Sequence, residues 1–317
     1  MNKNAKIYVA GHRGMVGSAI ARELNRQGYE TIIGKTHAEL DLTNQTDVDK
    51  FFSEEKPEYV FVGAAMVGGI IANMKNHAGF LMKNMQIECN VINAAAEHGV
   101  KKLLFLGSSC IYPAKARQPL KEEYLLTGSL EPTNEGYAIA KIAGLKMCEY
   151  LYKEQGKQFI SVMPCNLYGY NDNFHPEHSH MLPALIRRFH EAKISGAETV
   201  TVWGTGNVYR ELLFVEDLAK ACVFVMNNYS CAEFLNAGYG EDFTIAQIAE
   251  SVREAVGYKG NIVFDPSKPD GMFRKVMDSG KINALGWKAE THLDDGIKLT
   301  YGWYLNHCAQ ARGHGVK

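Results

Sequence analysis

Along the first half of the chain, short apolar runs alternate with longer stretches whose apolar residues recur at helical spacing. Lys6-Ile7-Tyr8-Val9-Ala10 reads as a buried strand, and Met15 to Arg26 as a helix after a glycine turn. The strand signal returns at Thr31–Ile33, Tyr59–Gly63, Lys102–Leu106 and Phe159–Met163, the last closed by Pro164. Between these runs, helical patterns cover residues 45 to 55, Asn73 to His98 (ended by Gly99) and Glu135 to Gln155. β-α units of this length build a parallel sheet with helices on both faces. The fold class expected is therefore α/β, with a doubly wound parallel sheet. Past residue 165 the rhythm loosens. Pro, Gly, His and aromatic residues cluster between 164 and 210, which suits irregular loops lining a site. Helices are expected near 181–195, 215–227, 244–256 and 293–306. Without a repeat or a flexible Gly/Ser linker, the second part should pack closely on the first.

Length and charge narrow the classes further. The 317 residues exceed the roughly 150 typical of one domain, which suggests two lobes. Thirty-four Lys+Arg balance 35 Asp+Glu, so no basic excess is available to neutralise a nucleic-acid backbone. No apolar run approaches the roughly 20 residues that span a bilayer, and the N-terminus enters a strand at once, without the pattern of a signal peptide. Seven cysteines, at 89, 110, 148, 165, 222, 231 and 308, include no Cys-x-x-Cys pair and read as free thiols in a reducing cytoplasm. Neither a nucleic-acid nor a membrane partner is expected.

Gly11-His12-Arg13-Gly14-Met15-Val16-Gly17 follows the first strand and opens the first helix. Its G-x-x-G-x-x-G spacing meets the demands of a dinucleotide turn: a tight bend, backbone close to a pyrophosphate, and a glycine where helix meets strand. The helix N-terminus would offer N–H groups to the anion. At the end of the second strand, where NAD-binding turns usually carry Asp or Glu, this chain has Ile33-Gly34-Lys35-Thr36-His37, with no acid before Glu39. Arg13 and Lys35 would attract a 2′-phosphate, which favours NADP(H). His37 and Asp41 complete the expected contacts of this Rossmann-like half.

Tyr137-Ala138-Ile139-Ala140-Lys141 places a phenol and an ammonium on one helix face. The ammonium is expected to lower the phenol pKa, so that Tyr137 can exchange a proton with a carbonyl or hydroxyl near neutral pH. Gly107-Ser108-Ser109-Cys110 lies at the C-terminal end of the fourth strand, the edge where open α/β sheets bind ligands. There Ser108 could bond the oxygen that Tyr137 protonates.

These motifs together resemble the extended short-chain dehydrogenase/reductases. The resemblance narrows to the GDP-L-fucose synthase family with Gly11–Ile20 (GHRGMVGSAI), Leu106–Pro113 (LGSSCIYP), Glu131–Lys141 (EPTNEGYAIAK), Pro164–Gly169 (PCNLYG), Asp172-Asn173-Phe174, Leu182–His190 (LPALIRRFH) and Ser267–Gly271 (SKPDG). It runs from about residue 6 to 305. It implies an NADP domain over residues 1–167, with a returning segment near 210–237, a smaller α/β GDP-sugar domain over 168–317, and a homodimer. Residue by residue, it implies Ser108, Tyr137 and Lys141 as the reductase triad and Cys110 and His180 as base and acid of epimerisation. Arg188, Trp203, Arg210 and Asp270 match substrate contacts. Leu106, Gly107 and Ser109, with Pro164, Cys165, Asn166 and Leu167, match segments lining the cofactor. The activity implied is C3/C5 epimerisation and NADPH-dependent C4 reduction of GDP-4-keto-6-deoxy-D-mannose. The chain departs from the family pattern at His37 (arginine in many relatives), Gly136 (proline), Cys165 (threonine) and Phe214 (histidine or tyrosine).

A free cysteine is commonly a small buried hydrophobe, and Cys89, Cys148 and Cys222 are read so. Cys110 differs because it borders the proposed carbonyl site, where a thiolate can take a proton α to a ketone. The run His175-Pro176-Glu177-His178-Ser179-His180 matches no zinc spacing, and no metal is expected. Two other readings remain open. One is a paralogue acting on another GDP-4-keto sugar, such as a 3,6-dideoxy sugar or a heptose. The other is a non-catalytic dinucleotide sensor, which has no need of Ser108, Tyr137 and Lys141 together.

Overall fold

The computed structural model describes residues 1–307 except Glu177, Pro269 and Gly271, and describes only the backbone of Ile70 and Ile71. Cys308 and two residues of the SKPDG motif therefore lie outside the described residues. The first half runs β1 (Lys6–Ala10), α1 (Met15–Arg26), β2 (Thr31–Ile33), α2 (Gln45–Glu55), β3 (Tyr59–Val62), α3 (Ile70–Lys75), α4 (His77–Glu97), β4 (Lys102–Leu106), α5 (Glu135–Gln155) and β5 (Gln158–Pro164). The second runs β6 (Asn166–Tyr168), α6 (Met181–Ser195), β7 (Thr199–Trp203), β8 (Tyr209–Arg210), β9 (Leu212–Phe214), α7 (Val215–Asn228) and β10 (Leu235–Ala237). It ends with β11 (Phe243–Thr244), α8 (Ile245–Val256), β12 (Asn261–Asp265), α9 (Gly280–Ala284) and α10 (Leu293–His307).

Six strands pair in the order β10-β5-β4-β3-β1-β2, every pair parallel. The chain moves outward from β1 to β2, then crosses to β3 on the other side. The crevice above β1 and β3 is thus a topological switch point, where such sheets bind ligands. The doubly wound sheet expected from the sequence is observed, and β10 extends it by one strand. α7, which leads into β10, packs on α1, and Arg22 bonds Glu216 across that contact.

Two clusters of buried side chains form around these elements. One fills the sheet and its helices and draws in Leu213, the inner face of α7, Leu235 and Ala237 of β10, Met277, Ile282 and Trp287. The other gathers Tyr168, Phe174, the inner face of α6, β7, α8 and α10. The helix expected over Asn73–His98 is interrupted. Asn76 leaves helical geometry at φ −150° and its side chain accepts the Gly79 N–H at 3.1 Å, capping α4. Asparagine competes for backbone donors in this way, and the cap separates α3 from α4. Among the described residues, no helix is long and apolar enough to cross a membrane.

Candidate active site

The glycine turn stands over the switch point. Gly11 has φ +80°, and a Cβ there would lie 2.9 Å from the Ala64 backbone beyond β3. A Cβ on Gly17 would lie 2.2 Å from the Gly11 carbonyl, so α1 approaches β1 more closely than any side chain permits. Gly14 caps α1 without a side-chain acceptor, and the first turn, through Met15 and Val16, holds no acid. The N-terminal N–H groups of α1 are thus left for an anion. The His12 ring fills the space over Gly34, where a Cβ would come within 2.3 Å of it, and its Nδ1 is buried without a hydrogen-bond partner. At β4, a Cβ on Gly107 would meet the Met163 sulfur at 2.1 Å. A bare helix terminus, a glycine cradle and an unpartnered ring nitrogen fit a nicotinamide dinucleotide.

The cationic rim carries acids as well. Lys35 Nζ lies 3.9 Å from a Glu55 carboxylate oxygen. His37, largely exposed, lies 3.6 Å from Asp41, whose carboxyl is held below its usual range by the Thr43 N–H and hydroxyl. Glu39 folds back to accept the Thr36 hydroxyl and N–H at 2.6 and 2.7 Å, which lowers its pKa. Lys35 and Arg13 reinforce that shift, so both cations stand near this carboxylate.

Ser108 caps the 3-10 turn Ser109–Ile111, its hydroxyl accepting the Cys110 N–H at 3.2 Å. That turn brings Ser108 and Cys110 to the end of β4, beside α5. Burial raises the Tyr137 phenol well above its usual range, the Cys110 and Glu88 charges add to the rise, and the Ser108 side chain, acting on the hydroxyl, draws it down only in part. The lowering expected from Lys141 is thereby corrected. Lys141, 2% exposed, points its ammonium at Glu88 Oε1, 2.9 Å away, and donates to the Leu106 carbonyl at 3.0 Å. It stands 5.8 Å from the Tyr137 ring centre, and its charge is already answered by a carboxylate absent from the sequence reading. A phenol kept protonated is the form that a proton donor needs.

Around Cys110, the Asn134 amide donates to Sγ at 3.2 Å and Lys275 Nζ lies 3.8 Å from it. His180 opens α6. The protein around its ring and then the Lys275 charge lower its pKa, so the imidazole is neutral at rest and, once protonated, the stronger acid. Lys275 thus lies against the thiol and puts its charge within reach of the imidazole. Sequence reasoning passed over Lys275, Asn134 and Glu88. The first has no motif of its own, Asn134 was part of a quoted motif without a role, and Glu88 reads as one more polar position on a helix.

The segment carrying Lys275 also reaches the arginines. Arg210, its pKa lowered by burial, donates to the carbonyls of Tyr209, Met272 and Asp270 at 2.6, 2.7 and 3.1 Å. The Asp270 carboxylate is engaged by Thr205, N–H and hydroxyl, at 2.7 and 2.9 Å. Arg188 lies 5.1 Å over the half-exposed Trp203 ring, with Lys268 at 5.7 Å, and Arg188 and Trp203 line a shallow recess of about 340 Å³ on α6 and β7. Of the departures from the family pattern, Gly136 has a plain reason: a Cβ there would lie 2.5 Å from the His77 carbonyl that begins α4. Phe214 packs on Tyr168 and Tyr170, and Cys165 is buried at the end of β5 with its pKa raised by burial. Cys148 and Cys222 are buried as read, while Cys89 is half-buried.

Comparison with known proteins agrees with this arrangement. The profile of the NAD dependent epimerase/dehydratase family matches residues 7–238. GDP-L-fucose synthase 1 of Arabidopsis thaliana is 60% identical over 306 residues, covering 96% of this chain and 95% of that one. A GDP-L-fucose synthetase from Naegleria fowleri bound to NADP superposes with a TM-score of 0.92 at 30% identity, over 98% of this chain and 96% of the other. A GDP-6-OMe-4-keto-L-xylo-heptose reductase from C. jejuni also superposes at 0.92, with 39% identity over 97% and 99% of the two chains. With the glycine turn at the switch point and a Ser-Tyr-Lys set beside it, the chain belongs to the NAD dependent epimerase/dehydratase family, and within it resembles the GDP-L-fucose synthases.

Proposed function

We propose that this protein is an NADPH-dependent enzyme that epimerises C3 and C5 of GDP-4-keto-6-deoxy-D-mannose and reduces C4, giving GDP-L-fucose. The observation that carries the reading is the convergence at one sheet edge of Ser108, Tyr137 and Cys110, with Lys275 Nζ 3.8 Å from the Cys110 sulfur and its charge acting on His180. When bound, NADPH supplies the hydride to C4. The chain's own groups do the rest. The Cys110 thiolate takes the proton α to the C4 ketone, with the Lys275 ammonium and the Asn134 amide beside the sulfur, and His180, neutral at rest, takes up a proton from solvent and as imidazolium returns it to the opposite face. Inversion needs two groups because removal and return occur on opposite sides. Tyr137 donates its phenolic proton to the C4 oxygen, which Ser108 helps to orient. Arg188 and Arg210 suit the pyrophosphate of the GDP, Trp203 suits a stacked base, and Asp270 holds the turn beside them.

Arg13 and Lys35 support NADPH over NADH. Met82 on α4 and Ile139 and Tyr150 on α5 are exposed apolar side chains on packed neighbouring helices, which supports a homodimer through that face. Unpaired thiols among the described residues support a cytoplasmic setting. The heptose reductase likeness favours a second reading, reduction of another GDP-4-keto sugar without double epimerisation. NMR of the product formed in deuterated water decides. Deuterium at C3 and C5 with an L-fuco product is expected; turnover only of other GDP-4-keto sugars in a panel would establish the second reading, and no NADPH oxidation with any of them would leave a dinucleotide sensor. Cys110→Ser should lose the exchange by about 10²-fold or more while still reducing ketone slowly, and Tyr137→Phe the reverse.

A further inference from the structure

Glu88 is a carboxylate that the chemistry above does not use, in a place where carboxylates are costly. It projects from α4 into the contact with α5 and is 1% exposed. Oε1 meets Lys141 Nζ at 2.9 Å as an ion pair, and neither oxygen has a well-aligned hydrogen-bond partner among the described residues. Burial raises its pKa and the Lys141 charge opposes that rise. The packing makes room for it. A Cβ on Gly144, one turn of α5 beyond Lys141, would lie 2.8 Å from Oε2 and 2.5 Å from the Phe105 ring. The Phe105 ring in turn lies under the Lys141 ammonium at 4.7 Å.

The neighbours of this pair set its influence. From α5 come Tyr137, Lys141 and Cys148, from α4 Cys89, and from the end of β4 Cys110 acts on Tyr137. Lys141 is the one cation among them. An ammonium 2% exposed with no counter-charge would be driven to lose its proton, and one free to act on Tyr137 alone would draw the phenol toward phenolate. The Glu88 carboxylate opposes both changes.

We propose that Glu88 is a positioning residue of the reductase half-reaction: it is the resident counter-ion of Lys141, fixing the ammonium at the Leu106 carbonyl and keeping Tyr137 protonated as the donor. The proposal rests on the proposed reduction for its kinetic consequence, and its physical basis is independent of the substrate.

Glu88→Gln preserves shape and removes one negative charge from beside both Tyr137 and Lys141. Tyr137 then gives up its proton more readily, so the alkaline limb of the reduction profile should move to lower pH by about one unit or more. Glu88→Asp, which retains the charge, should recover most of that shift. Deuterium exchange at C3 and C5, which uses other groups, should change less than twofold at neutral pH. The protein without substrate or cofactor offers a second readout. Tyrosinate absorbance, taken as the difference from Tyr137→Phe in each background, should appear at lower pH in Glu88→Gln than in the parent. An unmoved tyrosinate titration and an unmoved alkaline limb overturn the proposal. A moved titration in a protein that reduces no keto sugar supports it and overturns the assigned reaction instead. Where Glu88→Gln does not fold, the pair is tested by Lys141→Met against Lys141→Met/Glu88→Gln. The double variant should melt at the higher temperature because the single one strands a buried carboxylate, and the opposite order overturns the proposal.

Discussion

Glu211 offers a sharp test of how the floor of the cleft is held. It follows Arg210, is fully buried, and accepts the backbone N–H groups of Gly240 at 2.7 Å and Met277 at 2.9 Å. No cation is bonded to it among the described residues, and burial pushes its carboxyl up from 4.5 to about 7. The folded protein therefore binds this proton more tightly than the unfolded chain does. The contribution to stability is complete below the unfolded value and is lost as pH rises through the folded one. At about 1.4 kcal/mol per unit the whole effect is roughly 3 kcal/mol, of which roughly 2.5 kcal/mol falls between about pH 5 and pH 8. Glu211→Gln keeps the shape and one acceptor oxygen and removes the titration. Urea unfolding of both proteins across that window should show the parent losing roughly 2.5 kcal/mol more than the variant. Parallel pH profiles would refute the reasoning and mean that the two N–H groups hold Glu211 ionised throughout.

Further outcomes follow from the same geometry. Gly17→Val should abolish measurable dinucleotide binding, followed by nicotinamide fluorescence, because its Cβ must occupy the position of the Gly11 carbonyl and α1 cannot retreat without leaving β1. Arg13→Ala should raise the KM for NADPH about tenfold, a loss of roughly 1.4 kcal/mol, and leave that for NADH nearly unchanged; equal losses would remove Arg13 from the 2′-phosphate. Arg188→Ala and Arg210→Ala should weaken GDP binding in calorimetry while NADPH affinity holds. Of the two, Arg210→Ala should also lower the melting temperature, since its guanidinium ties together three backbone carbonyls.

Local structure was largely legible because its causes are local. Strand and helix periods mark β1 to β5 and the long helices, and the glycines of the first turn meet steric demands only glycine satisfies. What escaped was set by partners distant in sequence. β10 is three residues long and becomes a sheet strand only by pairing with β5. The break at Asn76 depends on a side-chain cap that a continuous apolar pattern hides. The pKa of Tyr137 was misread because the i, i+4 spacing to Lys141 is visible in the sequence and the pairing of Lys141 with Glu88, 53 positions earlier (141 − 88), is not.

The same reasoning explains why the segment from Asp270 to Met277 matters more than its sequence suggests. Its described residues lie outside the helices and paired strands, yet it supplies carbonyls to Arg210, a carboxylate to the Gly204–Thr205 turn, an ammonium to Cys110, and an N–H to Glu211. Leu120 N–H donates to the Val276 carbonyl at 2.8 Å, and the Asp278 N–H returns to Leu120, which stitches the segment to the loop after Cys110. A change that loosens it should therefore impair GDP binding and epimerisation together. Lys275→Met separates these effects, because it removes the charge beside Cys110 and His180 while leaving the backbone bonds to Arg210 in place. Deuterium exchange should fall by about 10²-fold, whereas the melting temperature should hold within a degree or two. Unchanged exchange would show that the ammonium is a bystander and that Asn134 alone attends the sulfur.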